Sequence, residues 1–251
     1  MEEKIYSQVE NHICTISFYS PKANSMTSTM LKDLATEFQK ASADKEVKFI
    51  ILKSDGEGVF SAGASFDEMM EIKDPITARK FFLGYARVIW EMINSPKFVF
   101  TRVQGKAIGG SLGLIAASDY VFATESADVR LSEYSIGIGP FVIAPVIEKK
   151  IGKAALMELT INTDYHSANW ALQKGLFNSV AQDIPKMDEE IKEFLKKIYI
   201  NSAEASRDLK RIFWEDLAKD FAIFGNRADF TAKNLLADYT QKLLRNFFEN
   251  K

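Results

Sequence analysis

One pattern, met twice, constrains this chain more than any other. A short run rich in β-branched and aromatic residues ends in a turn of small residues, and helical periodicity follows. The runs are Val47 to Leu52 and Phe98 to Val103. The turns are Phe60-Ser61-Ala62-Gly63-Ala64-Ser65 and Gly105-Lys106-Ala107-Ile108-Gly109-Gly110-Ser111. Short apolar runs bounded by turn residues read as strands buried on both faces. Strands alternating with helices make an α/β domain.

The remaining segments fit that class. Ile5, Tyr6 and Val9, then Ile13 to Phe18, predict a pair of strands around an Asn11-His12 turn. Met30, Leu31, Leu34 and Phe38 recur at helical spacing from Thr27 to Ala43. Further helices are predicted over 66–73, 76–93 and 110–118, and strands over 120–123 and 129–131. Beyond Ile143 the strands nearly stop. Helices are expected over 153–160, 166–174, 185–199, 203–222 and 229–249. The division expected is a core over 1–190 and a helical region over 191–251.

The two turns carry chemistry. Glycine and alanine there let a ligand approach the backbone closely. The first N–H groups of a helix have no intrahelical acceptor and sit at its positive end. Two such turns side by side place two donors on one oxygen, the arrangement that stabilises an oxyanion. The plain alternative is that both are structural turns. Phosphate cradles do not fit, since neither a Gly-Lys-Ser/Thr ending nor a Gly-x-Gly-x-x-Gly follows a strand.

Composition removes other classes. Thirty-four acidic residues against 32 basic ones leave a net charge of -2, which gives no general attraction to nucleic acid or anionic membrane. No apolar stretch is long enough to span a bilayer, and the charged start of the chain lacks a signal core. The one cysteine, Cys14, excludes an internal disulfide and reads as a small buried hydrophobe. The expected location is cytoplasmic. His12 and His166 lack neighbours at ligand spacing, so no metal site is expected. Asp119 reads as a structural end to the helix before it. Arg207, Lys210 and Arg211 share one helical face with Phe213 and Trp214, a solvated face by default.

Several blocks, in order, resemble the crotonase (enoyl-CoA hydratase/isomerase) superfamily. They are Ser20-Pro21-Lys22-Ala23-Asn24-Ser25-Met26, Val59 to Phe66, Val103 to Gly110, Ser118-Asp119-Tyr120, Leu131 to Ile138 and Ser167 to Leu176. Within the superfamily, Phe141-Val142 and the surroundings of Glu133 are similar to methylglutaconyl-CoA hydratase-type members. The resemblance implies a right-handed spiral of ββα units with a C-terminal helical trimerisation region, assembled as a homotrimer or as a hexamer of two trimers. It implies an acyl-CoA thioester as substrate, with coenzyme A carried by the substrate and no separate cofactor. Ala64 and Gly110 would donate the two N–H groups to the thioester oxygen. Lys22, Ala23, Ala62, Phe66 and Met70 would bind the substrate, Lys22 and Ala23 beside the adenine and Phe66, Met69 and Met70 along the acyl channel. The tail would contribute cations to the phosphates of coenzyme A.

Glu133 would be the acid–base. Read without a family, it is an acid beside a glycine-rich turn and ahead of an apolar run, where burial raises a carboxyl's pKa; the alternative is a solvated glutamate in a turn. The resemblance also marks a departure. Hydratases of the family hold water between two glutamates, and the first falls at Gly113 here. One carboxyl suffices to move a proton between two carbons, which is double-bond isomerisation. Hydration would need a substitute acid, with Glu68 and Glu71 as candidates. The alternative to an enzyme is an inactive acyl-CoA-binding or scaffold member.

Overall fold

The computed structural model describes residues 2–249; residues 250 and 251 of the expected helical region lie outside them. β1 (Lys4–Glu10) and β2 (Ile13–Tyr19) form the antiparallel hairpin the sequence predicts. Asn11 and His12 turn it with positive φ values of 49° and 65°, the left-handed pair that a tight two-residue hairpin requires. α1 (Ser28–Ala43) follows, its first turn capped by Thr27. β3 (Phe49–Ser54), α2 (Phe66–Glu71), α3 (Pro75–Asn94), β4 (Phe98–Val103), β5 (Ala107–Ile108), α4 (Ser111–Ala116), β6 (Tyr120–Thr124) and β7 (Val129–Arg130) complete the first half. After a 3-10 turn at Tyr134–Ile136 come α5 (Ala144–Ile161), α6 (Ala168–Gln173), β8 (Ser179–Ala181), α7 (Ile184–Ile198), α8 (Ala203–Trp214), α9 (Ala222–Leu235) and α10 (Asp238–Glu249).

The main sheet has the order β1-β2-β3-β4-β6-β8, parallel from β2 onward. A second, narrow ladder runs beside it. Its members are single bridges, Met26 to Ala64, Ser61 to Ala107 and Val129 to His166, together with the β5–β7 pair. Each successive turn of chain thus supplies one strand to the sheet, one short step to the ladder and then a helix. This is the crotonase-like spiral of ββα units.

Alternation decides which face of the sheet each residue joins. Ile50, Leu52, Val99 and Val121 face the large core shared with α1 and α3. Phe49, Ile51, Phe100 and Phe122 face a smaller aromatic core closed by Met187, Ile191 and Leu195 of α7. Residue 190, where the sequence suggests a boundary, therefore lies inside a helix packed on the sheet.

Differences from the sequence reading are local. β8 is three residues long, too short to show periodicity. α5 begins at Ala144 and is interrupted at Gly152, whose φ of 77° is not helical. The last helix expected, 229–249, is two helices, α9 and α10. Lys210 needs a larger correction, because it is not on a solvated face. It is 1% exposed, pairs with Asp119 at 2.7 Å and donates to the Lys97 carbonyl at 2.8 Å.

Candidate active site

The two small-residue turns meet. Met26 of the ladder accepts from Ser65 and donates to the Gly63 carbonyl, so Ala64 between them faces away from the ladder. On the second turn Gly109 donates to the Arg130 carbonyl, while Leu112 and Gly113 begin the bonding of α4. Among the described residues, the N–H groups of Ala64 and Gly110 have no acceptor, although those of Gly63, Ser65 and Gly109 do. The turns are in contact: a Cβ on Gly63 would lie 2.6 Å from the Ile108 carbonyl oxygen and 3.2 Å from Gly110 N. Gly63 also has φ +83°, so glycine is required there for conformation as well as for space.

A cavity of about 720 Å³ opens in front of these groups. Lys22, Ala23, Ala62, Ala64, Phe66, Gly110 and Glu133 all line it, so seven of the expected site residues share one space. Met70 does not. It packs against the hydrophobic core, and its neighbour Met69 lines the cavity instead. At the mouth Lys22 pairs with Asp67, and Ala62 donates to the Ala23 carbonyl at 2.9 Å. Ile138, Pro140, Phe141, Val142 and Ile143 build the apolar wall.

Glu133 precedes the 3-10 turn, and its carbonyl accepts from Ile136 and Ile138. The segment is fixed from behind by α10, where the Thr240 hydroxyl donates to the Gly137 carbonyl at 2.9 Å. Glu133 Oε1 lies 3.1 Å from the place a Cβ on Gly109 would occupy, so the carboxyl touches the second turn. Its Oε2 is buried without a hydrogen-bond partner among the described residues. Burial pushes the Glu133 carboxyl up to about 7, against a smaller downward pull from the backbone of Glu133 and Ser132.

The substitute acids proposed from sequence are not at the site. Glu68 accepts from the backbone N–H of Ser28 at 2.7 Å and from the Ser28 hydroxyl, which commits it to the start of α1. Neither Glu68 nor Glu71 lines the cavity. Position 113 is closed by packing, since a Cβ there would lie 2.4 Å from Ile143 Cγ2 and 3.1 Å from Ile89 Cδ1.

Several cavity residues were not among those expected from sequence, and Tyr85 bears most on the chemistry. Tyr85 of α3 is 3% exposed, and its hydroxyl, like Glu133 Oε2, is buried with no partner among the described residues. In sequence it is one more member of an apolar helical face; its only signal is a phenol one turn before Ile89. Among the described residues no group of three His, Cys, Asp or Glu is placed to hold a metal, and no helix is long and apolar enough to cross a membrane. His12 donates its Nδ1–H to the Glu46 carbonyl at 2.7 Å, and Cys14 is buried in the core.

A family model described as enoyl-CoA hydratase/isomerase matches residues 8–245. A probable enoyl-CoA hydratase of Bacillus subtilis is 27% identical over 83% of this chain and 81% of its own. The short-chain-enoyl-CoA hydratase of Clostridium acetobutylicum is 29% identical over 78% and 75%. The human peroxisomal bifunctional enzyme is 29% identical over 80% of this chain, which spans only 27% of that protein. Among solved structures, the enoyl-CoA hydratase of Bacillus halodurans superposes with a TM-score of 0.91 at 18% identity, covering 96% of this chain and 99% of that one.

Proposed function

We propose a reaction from one premise, that this chain belongs to the enoyl-CoA hydratase/isomerase family. The substrate is an acyl-CoA thioester whose carbonyl oxygen sits between the N–H groups of Ala64 and Gly110. Glu133 takes a proton from the acyl chain and returns it. The observation that carries this reading is the set of unfilled partners around one cavity: two backbone donors without acceptors and a buried carboxyl oxygen without a donor. Buried polar groups are otherwise nearly always paired, so a site with three open valences is shaped for a ligand that brings an oxygen.

The chemistry follows from the charge that forms. Lifting a proton next to a thioester gives an enolate, and the fixed donors stabilise its oxygen without reorganising. Each such donor contributes about 3–4 kcal/mol to lowering the barrier. A carboxyl whose pKa is near 7 is ionised often enough to accept the proton and acidic enough to give it back. Because Glu133 is, among the described residues, the cavity carboxyl that lies against the second turn, while Asp67 is paired with Lys22, migration of a double bond from the 3- to the 2-position is the reaction proposed first. Hydration is the second reading. It is favoured by the names borne by the Bacillus subtilis and Clostridium acetobutylicum relatives, and a branched acyl group such as 3-methylglutaconyl belongs with it. An idle binding protein gains nothing from the unpaired carboxyl.

The proposal extends to assembly. Exposed Leu209, Ile212 and Phe213 on α8 support association into trimers or hexamers through the helical region, which analytical ultracentrifugation would measure.

The test uses crotonyl-CoA, 3-methylglutaconyl-CoA and trans-3-hexenoyl-CoA, followed by the absorbance of the conjugated thioester. Gain of absorbance from the 3-enoyl substrate is expected. Loss of absorbance with the other two would mean hydration. Glu133→Gln is expected to lower turnover about 10³-fold or more while coenzyme A thioester binding and the melting temperature persist. Full activity in that variant would remove Glu133 from the mechanism.

A further inference from the structure

We infer that the Tyr85 hydroxyl is a third donor to the thioester oxygen, completing the enolate pocket begun by Ala64 and Gly110. The inference rests on the enolate reaction proposed above and assigns a further residue to it.

Geometry places the phenol beside one of the two donors. A Cβ on Gly110 would lie 2.5 Å from Tyr85 Cζ and 2.9 Å from its hydroxyl oxygen, so the phenol occupies the space a side chain at 110 would take. Gly110 has φ -49° and ψ -27° at the head of α4. In that conformation the Cα–Cβ direction leans toward the start of the helix, and the N–H points the same way. The ring edge fills the Cβ position, and the hydroxyl beside it stands next to the Gly110 donor.

The hydroxyl is also free to act. Tyr85 Oη and Glu133 Oε2 are both buried without partners, and they do not bond each other. An unpartnered buried hydroxyl is costly to the fold, and that cost is recovered when an acceptor enters. The acceptor this cavity is built to receive is the oxygen held by the two backbone N–H groups. Burial, and after it the charge on Glu133, raise the phenol well above its ordinary pKa. Tyr85 thus stays protonated and donates, while Glu133 alone takes and returns the proton.

The packing that brings Tyr85 here also closes position 113. Ile89, one helical turn beyond Tyr85 on α3, lies against Gly113. One face of α3 therefore blocks the site of the usual first glutamate and supplies a neutral donor nearby.

The test is Tyr85→Phe. Removing an unpaired hydroxyl keeps the ring packing, so thermal unfolding should show an unchanged or slightly raised midpoint. Turnover of trans-3-hexenoyl-CoA should fall about 100-fold with KM within a few-fold. The near-ultraviolet band of enolised acetoacetyl-CoA, bound to the native protein, should weaken in the variant. Unchanged turnover and an unchanged band would make Tyr85 a packing residue and overturn the inference. An intact band with loss only of water addition to crotonyl-CoA would also overturn it, making the phenol a holder of water. No band from the native protein would remove the enolate pocket and Tyr85 with it. Glu133→Gln separates the two proposals: if it keeps its turnover, the acid–base assignment fails, while the Tyr85 band still reports on the donor.

Discussion

Around Asp119 this chain buries charge with every hydrogen bond made; around Glu133 it buries a carboxyl and a phenol with atoms to spare. Asp119 accepts from the Val99 N–H at 2.7 Å and from the Trp214 indole at 2.9 Å, and pairs with Lys210. Lys210 Nζ has the Lys97 carbonyl as a further acceptor. The node ties β4 and the end of α4 to α8, so it is a rivet between the sheet and the helical region. Glu133 and Tyr85 line the cavity in front of the two turns, with no partner for Oε2 or Oη among the described residues. Both regions bear the cost of desolvation. The first recovers it within the folded chain, and the second can recover it only from a ligand. Completeness of pairing, rather than burial or charge, separates the Asp119 node from the candidate active site.

The comparison would break most visibly at Lys210. Lys210→Met leaves Asp119 buried without its cation, a loss of about 3–5 kcal/mol by the behaviour of buried pairs. Denaturant unfolding should show it as a lower midpoint. Turnover per folded molecule should persist, because the pair lies outside the cavity. A variant as stable as the native chain would mean that the indole, the Val99 N–H and the nearby Lys150 hold Asp119 without Lys210, and the rivet would not exist.

A smaller effect sharpens the other side. Gly113→Glu supplies the carboxyl that hydratases of the family carry, yet its Cβ would meet Ile143 and Ile89. Overpacking of that kind costs about 1–3 kcal/mol, so the substitution should lower the melting temperature without adding hydration of crotonyl-CoA. Gly113→Glu with Ile143→Ala should regain stability and gain water addition. Hydration by the single variant at native stability would show that the apolar plug is soft.

The same contrast explains what could be read in advance. β3, β4 and the hairpin are legible because buried strands carry β-branched and aromatic runs, and because Asn11-His12 suits a left-handed turn. The two turns and a buried acid at Glu133 can be read from the residues alone, but Ala64 and Gly110 as the individual donors come only through ordered blocks of family-like sequence. Nothing local says that residues 64, 110 and 133 share a cavity, since the ladder joining them consists of single bridges and one two-residue pair. Lys210 is misread, and Tyr85 passes unnoticed, for one reason. Helical periodicity assigns a face, but which face is buried depends on what packs over it. A lysine among Arg207 and Arg211 reads as solvated, and a tyrosine between Phe82 and Ile89 reads as core. Met69 and Met70 differ by one position in a short helix, a rotation that periodicity over so few residues does not fix.

The smallest expected effect concerns pH, and it sets the two sides of Glu133 against each other. Its folded-state pKa is raised, from 4.5 to about 7, so between those values the folded chain holds a proton that the unfolded chain has released. Stability from this group is complete below about 4.5 and declines as pH rises through 7, with a slope of at most about 1.4 kcal/mol per pH unit. Activity runs the other way. The carboxylate is the form that accepts the proton, so kcat/KM should fall about tenfold per unit as pH drops below 7. Glu133→Gln should flatten the stability profile in that window as well as abolish turnover, which paired unfolding and kinetic titrations would measure. If the native chain instead gained stability as pH rose from 4.5 to 7 while Glu133→Gln did not, the carboxyl would have a partner after all. The distinction from the fully paired Asp119 would then close.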